Sequence, residues 1–148
     1  MTKRVNWKPY IWDAPRPADP REIALLEQEW SVTLPSKYKE LISTNQGMTP
    51  SPCIFNVGKV EDVISVLLTL IRDPKHESYS IRDSYRILQQ HIPDRILPFA
   101  MTPGSEHLCF DYRDSPVEPR IVLVTVEMHV HPVADNFSEF LAQLHEPC

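Results

Sequence analysis

Residues 96–134 read ILPFAMTPGSEHLCFDYRDSPVEPRIVLVTVEMHVHPVA, and this stretch decides the fold class of the 148-residue chain. Runs of β-branched, aromatic and other apolar side chains alternate with segments rich in proline and polar residues, a pattern typical of strands joined by turns. The predicted strands cover residues 96–101, 108–112, 121–126 and 130–134. Pro116 and Pro119 lie between the second and third segments and predict a hairpin with a long loop. The stretch therefore predicts a mostly antiparallel sheet.

Helices are predicted on both sides of this sheet-forming stretch. Asp19 can cap a helix whose first residue is Pro20, and Asn136 with Glu139 forms a capping box at the start of a closing helix. The predicted helices lie near residues 20–30, 35–46, 61–72, 81–88 and 137–144, with a short strand at 54–57. Helices followed by strands and then a helix indicate an α+β fold. We therefore predict a single domain over residues 1–148 with N-terminal helices packed on a mostly antiparallel sheet, a closing C-terminal helix and an extended N-terminal arm over about residues 1–18.

The charge balance and the glycines exclude several functions. Lys and Arg total 15 and Asp and Glu total 20, so the net charge is −5 at pH 7. A non-specific nucleic-acid binder or a basic membrane-surface protein needs a positive field, whereas a basic protein partner is compatible with this charge. Gly47, Gly58 and Gly104 are too far apart to form a phosphate-binding loop. We therefore predict no direct contact with nucleic acid or membrane, and no cofactor.

The cysteines and the first residues bear on location. Cys53, Cys109 and Cys148 form an odd and sparse set, which favours reduced thiols over a disulfide scaffold. No apolar stretch follows the first residues, and the longest apolar-rich window, residues 63–71, is far shorter than the ~20 residues that span a bilayer. The expectation is a soluble, cytoplasmic protein.

One set of side chains has the spacing of metal ligands. His129 and His131 are two residues apart, which places both imidazoles on the same side of a strand, and His107 and Cys109 have the same spacing on another strand. Imidazole and thiolate are suitable donors for zinc, so a small metal-dependent hydrolase is an alternative function. The favoured interpretation is that the histidines are solvated and Cys109 is a small core residue, because no CxxC or HExxH motif accompanies them.

Nucleophilic and acid–base catalysis are not supported. A reactive thiol needs an accessible, electropositive setting, whereas Cys109 lies in an apolar strand and Cys53 lies between prolines and the start of a strand. Asp111 lies in a strong strand, so its side chain is expected to face solvent or to pair with Arg113 on the same face. We therefore predict no catalytic residue.

Several motifs occur in the order found in a known family. The segment Leu34-Pro35-Ser-Lys-Tyr38, followed by Leu41-Ile42 and Asn45-Gln-Gly47, resembles the "LP..Y..LL...NGG" signature of the SMI1/KNR4 family, also called the SUKH superfamily. The same family is resembled at 97–100 (LPFA), 103–106 (PGSE), 108–113 (LCFDYR) and 133–141 (VADNFSEFL), so that the resemblance covers about residues 7–144. Gln46 and Ser105 stand where the family often has glycine, which is expected to limit left-handed backbone at those positions.

The resemblance implies a compact α+β domain without enzymatic activity. Many bacterial members resemble immunity proteins that neutralise toxins of polymorphic or contact-dependent systems, often nucleases, whereas eukaryotic members are linked to cell-wall regulation and adaptor roles. The short chain, without disordered arms, fits the stand-alone bacterial type. We therefore predict an immunity protein that binds a cognate toxin and is a monomer or weak homodimer, with a general regulatory or adaptor domain of the same fold as the alternative.

An acidic surface is the expected point of contact with a basic toxin. A toxin that acts on nucleic acid must attract phosphates and is therefore basic, so an acidic face would speed encounter by electrostatic steering. The expected partner-binding residues are Gly104, Glu106, Asp111, Asp114, Glu118 and Glu127. The other interpretation is that these carboxylates are ordinary surface acids.

Overall fold

A five-stranded antiparallel sheet lies at the centre of the structure, a computed structural model that describes residues 5–71 and 73–146. The strands are β1 (Asn6–Pro9), β2 (Met48–Ser51), β3 (Ile54–Val57), β4 (Val60–Val63), β5 (Val66–Leu67), β6 (Ile96–Met101), β7 (His107–Asp111), β8 (Arg120–Val124) and β9 (Val130–Ala134). The helices are α1 (Pro20–Trp30), α2 (Ser36–Asn45), α3 (Ile81–Leu88) and α4 (Phe137–Gln143), with a 3₁₀ helix at Pro74–Tyr79. The central sheet has the order β5–β6–β7–β8–β9, and β1–β2 and β3–β4 are separate antiparallel pairs. The predicted α+β fold is confirmed.

Local signals account for most of these elements. The Asp19 side chain accepts a hydrogen bond from the Arg21 N–H at the start of α1, and the Asn136 side chain accepts one from the Glu139 N–H at the start of α4. The strands predicted at 54–57, 96–101 and 130–134 have the predicted bounds, and β7 and β8 differ from their predictions by at most two residues. The predicted hairpin between β7 and β8 is also confirmed.

The two faces of the central sheet support two clusters of buried side chains. The main core joins the α2 and α4 layer to one face of the sheet, through Tyr38, Leu97, Phe99, Leu108, Phe110, Ile121, Leu123, Phe137 and Phe140. The rings of Phe99 and Phe110 stack with centroids 4.4 Å apart, and Tyr38 meets Phe110 edge-on at 4.9 Å. The second cluster lies on the opposite face and consists of Leu88, Ile92, Ile96, Cys109, Val122 and Val124. The two-residue period of the strands therefore separates the side chains of the main core from those packed near α3.

The predicted helix over residues 61–72 is wrong. This segment forms β4 and β5, and Asp73 then caps the 3₁₀ helix that begins at Pro74. Its central part is buried without the single stripe of an amphipathic helix, with exposures of at most 3% for Ile64, Val66, Leu67, Leu68 and Leu70. A short apolar run does not distinguish a buried strand from a helix, and here the β-branched residues favour the extended form.

The N-terminal arm is fastened to the body through Trp12. Strand β1 pairs with β2, the Trp12 Nε1–H donates a hydrogen bond to Asp73 Oδ2 (2.9 Å), and the Arg16 guanidinium lies 4.6 Å from the indole centroid. Gly47 has φ +73°, and a Cβ there would lie 3.1 Å from the Trp12 ring, so both the backbone and the close approach of Trp12 require glycine. Residues 1–4 of the predicted arm lie outside the described residues, and the domain extent of 1–148 stays a prediction.

Cys53 corrects one expectation. It is disulfide-bonded, so a reduced thiol is the wrong prediction for this residue, and Cys148 lies outside the described residues. Cys109 is a free thiol whose pKa is raised by burial, which makes it the inert core residue that was expected. Disulfides are uncommon in the reducing cytosol, so Cys53 does not support the predicted cytoplasmic location.

Two buried tyrosine hydroxyls lead to opposite predictions for the same substitution. The Tyr112 hydroxyl donates a 2.8 Å hydrogen bond to the Thr33 carbonyl, whereas the buried Tyr38 hydroxyl has no hydrogen-bond partner among the described residues. We expect Tyr112→Phe to lower the free energy of unfolding by about 1–2 kcal/mol, because the Thr33 carbonyl loses its donor. We expect Tyr38→Phe to leave the free energy of unfolding unchanged or to raise it by up to about 1 kcal/mol, because an unpaired polar group leaves the core.

Urea unfolding of the two variants beside the parent chain tests this pair of predictions. The two substitutions remove the same atom, so each variant is the control for the other. Equal losses in both variants would show that the Tyr38 hydroxyl is also paired in solution, contrary to the prediction.

Candidate functional site

Two tight turns meet at one end of the central sheet. In the β6–β7 turn, the Glu106 N–H donates to Thr102 Oγ1 (3.1 Å), and in the β8–β9 turn the His129 N–H donates to Thr125 Oγ1 (3.1 Å). The register pairs His107 with Val124, so the end of one turn lies beside the start of the other. Both turns therefore use a threonine hydroxyl to bind an N–H four residues later, which holds their tips in place.

Each of these turns contains one residue with a left-handed backbone conformation. Ser105 has φ +64° and Met128 has φ +66°, although neither is glycine. Ser105 occupies a position where family members often have glycine, so the expectation that its side chain limits left-handed backbone is wrong. At Gln46 the opposite holds, because this residue has φ −59° and ψ 141°, and the left-handed position is Gly47.

Three carboxyl groups from different segments come together at this end of the sheet, and we call Asp62, Glu106 and Glu127 the acidic end. The Glu106 side chain shares a hydrogen bond with Asp62 from β4, and the carboxylates of Asp62 and Glu127 lie close enough to act on it electrostatically. This shared hydrogen bond, with partial desolvation and the neighbouring charges, raises the pKa of Glu106 to about 7. Gly104 lies exposed in the same turn. Three of the six residues singled out by sequence, Gly104, Glu106 and Glu127, therefore lie at this end of the sheet.

The remaining three lie at the opposite end of β7 and β8. Asp111 is 8% exposed, and its oxygens accept hydrogen bonds from Nε (3.0 Å) and Nη2 (2.8 Å) of Arg113. Burial opposes its ionisation, but the hydrogen bonds from Arg113 outweigh it and lower the pKa of Asp111. Asp114 lies 3.4 Å from Arg120, and Glu118 is exposed in the β7–β8 loop. The two sets are separated by the length of β7, about 13 Å, so the six residues do not form one surface.

The sequence predicted the Asp111–Arg113 pair as one of two alternatives for Asp111, and it missed Asp62. The pair follows from spacing of two in a strand, and the structure confirms it. Asp62 was assigned to the helix predicted over 61–72, and only the pairing of β3 with β4 shows where it lies. Assigning residues 60–63 to a strand instead of a helix would have revealed the position of Asp62.

The zinc hypothesis fails on the placement of its four donors. His131 pairs with Leu123, whose side chain belongs to the main core face, whereas Cys109 and Val124 lie in the cluster on the opposite face. The pair His129 and His131 and the pair His107 and Cys109 therefore point to different sides of the sheet. Among residues 5–71 and 73–146, no three His, Cys, Asp or Glu side chains are grouped as metal ligands. The metal-dependent hydrolase alternative is not supported by this arrangement.

Glu106 and His107 should affect the pH dependence of stability in opposite directions. The folded pKa of Glu106, about 7, is above its usual 4.5. Its contribution to the free energy of unfolding is therefore full below pH 4.5 and is lost as the pH rises through 7. Desolvation lowers the pKa of His107 from 6.5 to about 4, so its contribution is full above pH 6.5 and is lost as the pH falls toward 4. Between pH 4.5 and 6.5 the two contributions oppose each other.

Glu106→Gln should separate these contributions. Glutamine can keep the hydrogen bond to Asp62 without ionising, so we expect the variant to gain about 1 kcal/mol of stability relative to the parent as the pH rises from about 5 to about 8. The gain is smaller than the full pKa shift would give, because solvent screens this partly exposed carboxyl group. Urea unfolding across this pH range measures it. Glu118→Gln removes the same charge at the other end of the sheet, and a pH-dependent gain of equal size there would contradict the assignment to Glu106.

The fold and the site define a small α+β domain. The acidic end lies at one end of its central sheet, and carboxylates paired with arginines lie at the other end. The model of the SMI1/KNR4 family (SUKH-1) matches residues 17–143 of the 148-residue chain. The chain therefore belongs to the SMI1/KNR4 family. A search of curated proteins found no match. Within the described residues, every helix is too short or too polar to cross a bilayer.

Proposed function

We propose that this chain is an immunity protein of the bacterial type, which neutralises a basic toxin such as a nuclease by binding it and catalyses no reaction. The observation that carries the proposal is the acidic end. Asp62, Glu106 and Glu127 converge from three segments, and no ion pair joins them to a cation within the part of the chain that the structure describes. The family membership and the net charge of −5 support the same function.

The acidic end has the features of a docking surface. Glu127 is exposed at the tip of the β8–β9 turn, and its neighbour Val126 is 59% exposed, so charge and an apolar contact are presented together. The threonine-bound turns hold these side chains before a partner arrives, which lowers the entropy lost on binding. The opposite end is less suited to attract a cation, because Asp111 and Asp114 are already paired with Arg113 and Arg120.

Neutralisation then follows from competition for the toxin's cations. A nuclease holds phosphates with Lys and Arg side chains, and a surface with clustered carboxylates can occupy the same groups or lie across them. Long-range attraction between opposite charges raises the association rate before any contact forms. The resulting complex blocks access of the nucleic acid without any covalent step.

Co-expression with the product of the neighbouring reading frame tests the proposal. If that product carries a toxic C-terminal domain, this chain should rescue growth and co-purify with it. A Glu106→Lys/Glu127→Lys double variant should lose rescue, whereas the parent should retain it. Co-purification without rescue would favour the adaptor alternative, and failure of both would contradict the proposal.

A further inference from the structure

A groove lies on the face of the central sheet opposite the main core. Its cavity measures ≈ 340 Å³, and its apolar floor is formed by Val122 of β8 with Val130 and Pro132 of β9. Arg113 and Arg120 line the groove at the end where β7 finishes and β8 begins. The groove therefore combines an apolar floor with two guanidinium groups at one end.

A buried carboxylate positions the first arginine. The Asp111 side chain is 9% exposed and accepts hydrogen bonds from the backbone N–H, Nε and Nη2 of Arg113, at 3.0, 3.0 and 2.8 Å. Burying such a pair costs desolvation energy and adds little net stability compared with apolar packing. The pair does fix the guanidinium of Arg113 at the mouth of the groove, and Nη1 takes no part in these contacts with Asp111.

The second arginine is only weakly engaged. Arg120 lies opposite Asp111 in the register of β7 and β8, and its guanidinium is 3.4 Å from Asp114. The Arg120 and Asp114 side chains are 63% and 70% exposed, and an ion pair this exposed is weak and readily exchanged. Two guanidinium groups thus flank one buried carboxylate. Asp135 lines another part of the groove, so a bound anion would be favoured on the arginine side.

We propose that this groove binds an extended segment of a partner protein that presents an apolar side chain to the floor and a carboxylate to Arg113 and Arg120. Charge complementarity selects this occupant, because a bound carboxylate can replace the exposed Asp114 on Arg120 and complete a network in which two arginines alternate with two carboxylates, Asp111 and the bound group. A basic segment would be repelled, because its cations would lie close to the two guanidinium groups. The groove uses different residues from the acidic end, so this site stands whether or not the toxin-binding function does.

Two blocked dipeptides test the site in the full chain without any toxin. We expect acetyl-Leu-Glu amide, followed by NMR, to shift the methyl signals of Val122 and Val130 and the Nε–H signals of Arg113 and Arg120. Its dissociation constant should be about 1–10 mM, as befits a fragment of this size. Acetyl-Leu-Gln amide should bind about tenfold more weakly, because its neutral side-chain amide cannot form a bidentate ion pair with arginine.

Variants of exposed residues separate the site from a general surface effect. Arg120→Gln should weaken binding of the Glu peptide about fivefold, whereas Asp114→Asn should tighten it about twofold by releasing Arg120. Arg21→Gln, which removes an exposed arginine at the start of α1, should leave binding unchanged. Equal binding of the two peptides, shifts that map away from the groove, or weaker binding by Asp114→Asn would each overturn the proposal.

Discussion

Gln46→Leu is expected to lower the free energy of unfolding by about 3 kcal/mol, because a buried backbone N–H and a partly buried backbone carbonyl lose their partners. Gln46 is fully buried, its Nε2 donates a hydrogen bond to the Arg16 carbonyl (2.9 Å), and its Oε1 accepts one from the Leu70 N–H (2.8 Å). Leucine matches the volume of glutamine but can make neither bond. The arm and the segment after β5 would both be released from the end of α2. Urea unfolding followed by tryptophan fluorescence measures the loss.

Gln28→Leu is the matched control for this prediction. Gln28 is exposed on α1, so the same chemical change there should alter the free energy of unfolding by no more than about 0.5 kcal/mol. A loss below about 1 kcal/mol in Gln46→Leu would contradict the buried bridge, because it would mean that water reaches both backbone groups.

Reversing the charge of the acidic end is expected to slow association with the cognate toxin by about 10- to 100-fold at low salt. Glu106→Lys/Glu127→Lys places two cations where the proposed partner is basic. The parent's association rate should fall steeply as salt is added, because steering acts through charges that salt screens. The rate of the variant should depend much less on salt. Stopped-flow or surface-based kinetics at several ionic strengths measures both effects.

The matched variant at the other end of the sheet is Asp114→Lys/Glu118→Lys. Each double variant changes the formal net charge by +4, from −5 to −1, so a difference between them reports position rather than total charge. We expect the Asp114→Lys/Glu118→Lys variant to associate within about threefold of the parent rate. Equal slowing of both variants would show that total charge alone matters and would contradict the acidic end as the docking surface.

Elements with local signals were predictable from the sequence. Asp19 and Asn136 cap α1 and α4 as their positions indicated, and the ion pair of Asp111 with Arg113 is one of the two alternatives that their two-residue spacing allowed. The α+β class followed from the order of these elements. All of these features depend on residues that are close in sequence, where side-chain period and capping chemistry decide the outcome.

Features that join distant segments were not predictable. Gln46 bridges Arg16 and Leu70, which are 30 and 24 residues away, and its position where family members often have glycine suggested only a backbone effect. Asp62 reaches Glu106 only because β4 replaces the predicted helix. The sequence also shows how many carboxylates there are but not which of them form ion pairs. Composition therefore could not show that Asp111 and Glu106 have different environments.

The most direct test of binding without catalysis is a titration of the toxin with this chain. Toxin activity should fall in proportion to the amount added, reach its minimum at about one equivalent, and return when the complex is dissociated and the toxin is refolded alone. The inhibition should not deepen with time after binding is complete. Inactivation of many toxin molecules by one molecule of this chain, increasing with time and persisting after separation, would contradict the proposed function.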